Sequence, residues 1–221
     1  MEKPQIVIDD SVTISYKALR RSIGYIGMAL PFVILLYSLM VDKSQIIEPS
    51  ISDYYYTSSR NLFVGALCAV ALFLFCYGSK DSIDNRLTNL AGILLLLTAM
   101  FPTVPENACY ATVPNADLIG KVHLISAASF FLICSIISVF IFTRKQDDGT
   151  RSQESNRRKG NRDKTYVICG IVMFLALVLS GIFVNSEFAK GTPLVWLCET
   201  VMLVAFGISW LTKGHVLFGE Q

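Results

Sequence analysis

The chain has 221 residues, 53% of them hydrophobic and only 16% charged, and its 19 basic and 17 acidic residues leave a formal net charge of +2. Soluble domains carry nearer a quarter charged residues, so the composition excludes an ordinary water-soluble domain and points to a polytopic α-helical membrane protein. The net charge is uninformative as a total; its distribution along the chain is what informs, and no aromatic or folded element accompanies the basic residues of 143–164 in the way a nucleic-acid binder needs.

Taken in chain order, the first 21 residues carry Glu2, Asp9 and Asp10 and are followed by a long apolar run without a small-residue cleavage site. A cleavable leader is therefore not expected. Six runs are long enough to cross a hydrocarbon layer of about 30 Å. They cover residues 23–41, 62–77, 87–104, 118–142, 166–184 and 194–211. The second is short. The third is weak at its start, where Asn85, Arg86, Thr88 and Asn89 precede the clean run 90–101. The whole chain, 1–221, reads as one all-α bundle of six transmembrane helices. Pro31 interrupts the first run after Gly24 and Gly27, which predicts a packing kink or, more sharply, a hinge. Gly65 with Ala69, and the small run 126–129, predict close helix contacts.

The longest interruption, residues 143–164, is rich in charge, Ser, Asn and Gly and reads as a flexible loop. Its basic residues read as a topological anchor and could also touch anionic headgroups at roughly 1 kcal/mol each. Five cysteines lie inside apolar runs, where thiols pack as small hydrophobes. Only Cys109 lies in a loop, and no CxxC pair exists. A bridge between Cys109 and Cys198 is open if both lie near one face.

Lys and Arg orient the bundle. Four lie in the N-terminal segment, two after the second run, eight after the fourth and one in the C-terminal tail. The opposite side holds only Lys43, Arg60, Lys121 and Lys190. By the positive-inside rule both termini are cytoplasmic.

That orientation gives the polar residues a common address. Segment 49–61 holds Asp53, Tyr54, Tyr55, Tyr56 and Arg60 outside the second run. Lys121 and His123 lie in the outer turn of the fourth run. Glu199 lies about 7 Å below the outer start of the sixth, at 1.5 Å per helical residue. Intramembrane ionisable groups are costly, and this set comes from three different runs. The inner half is expected to hold no comparable set, with His215 at its far end. Each member also has a plain reading. Arg60 can snorkel, the tyrosines can form an interfacial belt, His123 can be a packing residue and Glu199 can pair with one base.

Three functions fit. Arg60 and Lys121 could hold an acidic headgroup or metabolite while Tyr54, Tyr55 and Tyr56 supply flat apolar contact. Asp53, His123 and Glu199 could instead serve an intramembrane hydrolase or transferase, with Ser52, Ser58 or Ser126 as nucleophile. A non-catalytic accessory subunit is the third. The two carboxylates and one histidine would also make a zinc ligand set. A three-histidine site is excluded, because only His123 and His215 exist. There is no GxSxG, HExxH or phosphate-cradling Gly-rich motif, and no metal or cofactor is expected. Glu199→Gln and His123→Ala are predicted to leave membrane insertion intact and remove function.

Four strings resemble a family of small bacterial six-span membrane proteins with a domain of unknown function. They are SISDYYYTSSRNLFVGAL (50–67), NLAGILLLLTAMFPT (89–103), His123, and FGISWLTKG (206–214). The resemblance covers the second to sixth runs. It implies six helices and a bacterial cytoplasmic (inner) membrane location, and brings no activity. Its motif residues coincide with the outer set. Together these readings favour a multi-pass protein that recognises a lipid or small metabolite at an outward polar site, with membrane lipids as neighbours and no nucleic-acid partner. The oligomeric state is not legible.

Overall fold

The computed structural model describes residues 10–42, 47–79, 81–104, 115–144 and 153–217. Cys109 lies outside them, and with it the proposed bridge to Cys198. Among the described residues there are six long helices: α1 (Asp10–Val41), α2 (Arg60–Cys76), α3 (Ser82–Met100), α4 (Ala116–Ile136), α5 (Gln153–Val184) and α6 (Leu194–Lys213). Short 3₁₀ turns at Ser52–Tyr56 and Glu187–Ala189 sit in two of the connections, and no strand occurs among the described residues. The six helices fall on the six apolar runs.

Two boundaries differ from the sequence reading. α1 starts at Asp10, well before the apolar run. α5 starts at Gln153, so the second half of the expected 143–164 loop is helix. Hydropathy could not show this. Glu, Gln, Lys and Arg are good helix formers, and a helix outside the bilayer needs no apolar face.

Among the described residues, four helices are long and apolar enough to cross a membrane: Tyr16–Val41, Ala116–Ile141, Lys159–Val184 and Leu194–Lys213. α2 is apolar but has only 17 residues, and α3 carries Asp84, Asn85 and Arg86 in its first turns. α1 runs unbroken through Pro31, whose ring is fully buried.

Each helix packs on its neighbours in the chain, and α6 returns to α1, which closes a ring in chain order. The ring is tight where side chains vanish. A Cβ on Gly207 would lie 2.7 Å from the Gly24 carbonyl oxygen, and one on Gly24 would lie 2.9 Å from the Gly207 oxygen. α1 and α6 thus cross backbone to backbone, as small residues permit in the absence of a strong apolar driving force between helices. α4 and α5 meet at Gly170, and Ser135 Oγ donates to the Gly170 carbonyl at 2.7 Å. Gly65 does not play the expected part, since nothing lies within 4 Å of the Cβ it lacks. Small-residue spacing says that a helix can be approached, not which face a neighbour takes.

The core is aromatic. Trp210 of α6 makes edge contacts with Tyr77 at 5.2 Å and Phe142 at 5.3 Å, and tilts against Phe206 at 6.1 Å. Phe206 continues to Phe130 of α4 at 5.7 Å. Such pairs add about 0.5–1.5 kcal/mol each beyond burial. The chain leaves α4 through a single π-helical turn, Ile137–Ile141. There Ser138 Oγ donates to the Tyr166 carbonyl at 2.8 Å and lies 2.8 Å from Ser209 Oγ.

The outside of the ring is apolar all round. Leu36, Leu72, Ile93, Ile125, Ile168 and Leu197, one from each helix, are between 49% and 65% exposed. A water-soluble monomer rarely shows so continuous an apolar surface.

Polar side chains collect at both ends of the bundle. At the end shared by the start of α1 and the finish of α6, Arg21 Nε donates to the Gly214 carbonyl at 3.1 Å. The Arg20 guanidinium lies 5.2 Å above the Tyr77 ring, Tyr77 donates to the buried Asp84 carboxylate at 3.3 Å, and Lys213 stands 4.7 Å over Phe142. Arg144 and Asp81 pair at 2.5 Å nearby. This set corrects the expectation that the end away from segment 49–61 holds no comparable group.

Candidate functional site

The opposite end is built around residues 49–56. Two bonds fasten this segment to the start of α6. The amide of Trp196, one of the first N–H groups of α6 and without a partner in its own helix, donates to the Pro49 carbonyl at 2.8 Å. In return the amide of Ile51 donates to Glu199 Oε2 at 2.5 Å. The carboxyl that looked hardest to place inside an apolar run is therefore a clamp on a loop. It pairs with backbone, not with a base.

Asp53 acts within the segment. Its Oδ2 accepts from the Ser50 amide at 3.1 Å and from Ser50 Oγ at 2.8 Å, while its own amide donates to Ser50 Oγ at 3.1 Å. This is the reciprocal arrangement of a capping box, and it starts the 3₁₀ turn that carries Ser52.

Ser52 then meets His123 of α4. The Ser52 Oγ lies 2.9 Å from His123 Nε2. On the other side of the ring, Nδ1 lies 3.0 Å from the Thr98 carbonyl and 2.7 Å from the Phe101 carbonyl. Both carbonyls belong to the end of α3, where the last C=O groups lack helical partners. Two carbonyls can only accept, so Nδ1 carries the proton. Nε2 of the neutral ring is then an acceptor, and the Ser52 hydroxyl donates to it. His123 so caps one helix and holds a serine with the same ring.

The tyrosines and Arg60 serve elsewhere. Tyr54 is buried, and burial pushes its phenol up to about 12, so it stays neutral. Tyr56 donates to the Thr103 carbonyl at 2.6 Å and ties the segment to the end of α3. The Arg60 guanidinium sits 4.2 Å over the Tyr55 ring and donates to its hydroxyl at 2.5 Å. Ser58 donates to Asp42, and Ser126 is buried one turn along α4 from His123.

A cavity of about 360 Å³ lies beside Ser52 and His123, within the usual range of ligand pockets. Its walls come from the 49–53 segment, the start of α4, the end of α5, the 189–192 turn and the start of α6. Asp53, Lys121, His123 and Glu199 all line it. Tyr54, Tyr55, Tyr56 and Arg60 do not line it. The proposed grip by Arg60 and three tyrosines is thus not assembled around this space, while Lys121 is in place. Lys190, which lines the cavity and pairs with Glu187 at 2.6 Å, was not singled out from sequence. Its assignment to the same side as Lys121 was the signal that could have found it.

Among the described residues no three His, Cys, Asp or Glu side chains gather in a metal-binding group. The geometry gives the reason. Both ring nitrogens of His123 are engaged, and Asp53 and Glu199 each spend an oxygen on backbone amides.

Fold and site together define, among the described residues, an all-helical bundle with an apolar exterior and, at one end, a largely apolar cavity that carries several charged and polar residues. No family model, no curated protein and no solved structure matches the chain.

Proposed function

We propose that the chain is a six-span multi-pass protein of the bacterial cytoplasmic membrane, and that the cavity at its outward end holds a lipid or a small anionic metabolite with an apolar part. The cavity carries this reading. Lys121 and Lys190 line it beside the carboxyl-bearing Asp53, Asp117 and Glu199, against apolar walls that include Leu124, Phe183 and Val195. A ligand with a negative head and an apolar body satisfies both the lysines and these walls.

The exposed apolar side chains on α2 and α3 support counting these two helices as spans. At 17 and 19 residues they reach about 26 and 28 Å, close to the hydrocarbon thickness. The excess of Lys and Arg at the other end supports placing both termini in the cytoplasm. In a functional variant whose six native cysteines are replaced, a single cysteine placed at Thr150 is expected to resist impermeant maleimides in intact cells and react after lysis. Labelling in intact cells would reverse the orientation.

Native mass spectrometry of protein released gently from the membrane tests the ligand. Wild type is expected to carry an anionic amphiphile. Lys121→Glu, which reverses a charge on the cavity, and Ala127→Phe, which fills it, are each expected to lower that occupancy at least tenfold. An adduct unchanged in both variants would overturn the reading.

A further inference from the structure

A hydroxyl that donates to a histidine held in one tautomer is a means of binding and also a means of attack. We propose that Ser52 is a nucleophile and His123 its general base, and that the site cleaves a carboxylic ester of an anionic amphiphile. The inference rests on the cavity reading above and adds a reaction to it.

Four observations carry it. First, the Ser52 Oγ to His123 Nε2 distance of 2.9 Å is that of a nucleophile in contact with its base. Second, the Thr98 and Phe101 carbonyls fix the proton on Nδ1, so the lone pair of Nε2 faces the serine. A third group that orients the base completes the pattern of a catalytic triad, here with main-chain oxygens in place of a carboxylate. Those oxygens stand at the negative end of α3 and favour the imidazolium that forms when Nε2 takes a proton. Third, Ser52 is held on a turn locked at both sides, by Ser50 with Asp53 and by Glu199 on the Ile51 amide. A nucleophile positioned beforehand loses little freedom on reacting. Fourth, Ser52 and His123 both line the cavity, with the two lysines on the same space. A serine–histidine bond that merely braced two helices would need no such opening.

The reaction balances with water as the only co-reactant. Ser52 Oγ bonds to the ester carbonyl carbon as its proton moves to His123 Nε2. The oxygen that becomes negative shares the cavity with Lys121 and Lys190, whose lining also holds Asp53, Asp117 and Glu199. Collapse of the tetrahedral species breaks the bond to the alcohol oxygen, which leaves with the proton from Nε2. Water then gives a proton to Nε2 and adds to the acyl carbon. The Ser52 ester bond breaks, the carboxylic acid departs, and the proton returns to Ser52. Asp53 and Glu199 are positioning residues here, since their bonds to Ser50 and to the Ile51 amide hold the turn.

A long-chain alkyl fluorophosphonate tests this without knowledge of the natural ester. It phosphonylates activated serines and releases fluoride. With full-length protein in nanodiscs, the label is expected on the peptide containing Ser52, and Ser52→Ala is expected to abolish it. His123→Asn removes the base while its amide N–H still reaches the α3 carbonyls. It is expected to slow labelling by 10²-fold or more, the usual contribution of a general base, with little change in thermal midpoint. An unlabelled wild type, a label on another residue, or equal rates in wild type and His123→Asn would overturn the proposal. The co-purified amphiphile is read in the same samples. If it stays bound while Ser52 proves inert, the reaction is wrong and the binding site stands. If it too is missing, both fall.

Discussion

Gly207→Val is expected to separate α1 from α6 and cost more stability than any exposed substitution in the chain. The first atom of the new side chain would already lie 2.6 Å from Met28 Cβ and 2.7 Å from the Gly24 carbonyl oxygen. Neither neighbour is the free end of a flexible chain, so a helix must move. Overpacking of this kind costs about 1–3 kcal/mol even for small additions, and valine adds two further methyl groups. The gain in helix propensity on replacing glycine is under about 1 kcal/mol and cannot offset it. Gly65→Val is the control, because the space beside Gly65 is open. Thermal unfolding in nanodiscs is expected to show a large fall for Gly207→Val and little change for Gly65→Val. Equal midpoints would mean that α1 and α6 do not cross at Gly24.

The second large effect is expected at His123. The alanine variant removes the donor that caps α3 and the acceptor that holds Ser52 in one step. A buried group left without its partner costs roughly 1–3 kcal/mol. Water from the cavity can reach the Ser52 hydroxyl, so the loss falls mainly on the Thr98 and Phe101 carbonyls, at about 2–4 kcal/mol in all. Insertion into the membrane is decided by apolar runs and is expected to be unchanged. The packed bundle is not. His123→Asn, which keeps a donor toward α3, is expected to recover most of the stability. Two variants with the same midpoint would show that the histidine does not cap α3.

The pattern of successes in the sequence has physical causes. Hydropathy is a local property, so the six helices could be read from apolar runs. The polar extensions of α1 and α5 could not, because nothing in hydropathy separates a polar helix from a polar loop. The charge count set the depth of Asp53, His123 and Glu199, and the structure does bring these three to one cavity. Their roles were not legible. A carboxyl that clamps a backbone amide and one that pairs with a base look alike in sequence. Ser52 and His123 are 71 residues apart, so their contact depends on how the ring of helices closes. Arg60 and the tyrosines share a segment with Ser52, yet the tyrosines on the 3₁₀ turn and Arg60 at the start of α2 do not line the cavity. The group formed by Arg20, Tyr77, Asp84 and Lys213 was missed because each sits near a helix end, where charged residues are ordinary.

The end of the bundle bearing Ser52, His123 and Glu199 is proposed as a ligand site. An electron-microscopy map of the protein in nanodiscs made with its native lipids addresses it most directly. Elongated non-protein density is expected in the cavity between α4, α5 and α6, with its polar end toward Lys121 and Lys190 and its body beside Ser52. A cavity that holds only water, or one closed by the side chains around it, would contradict the account.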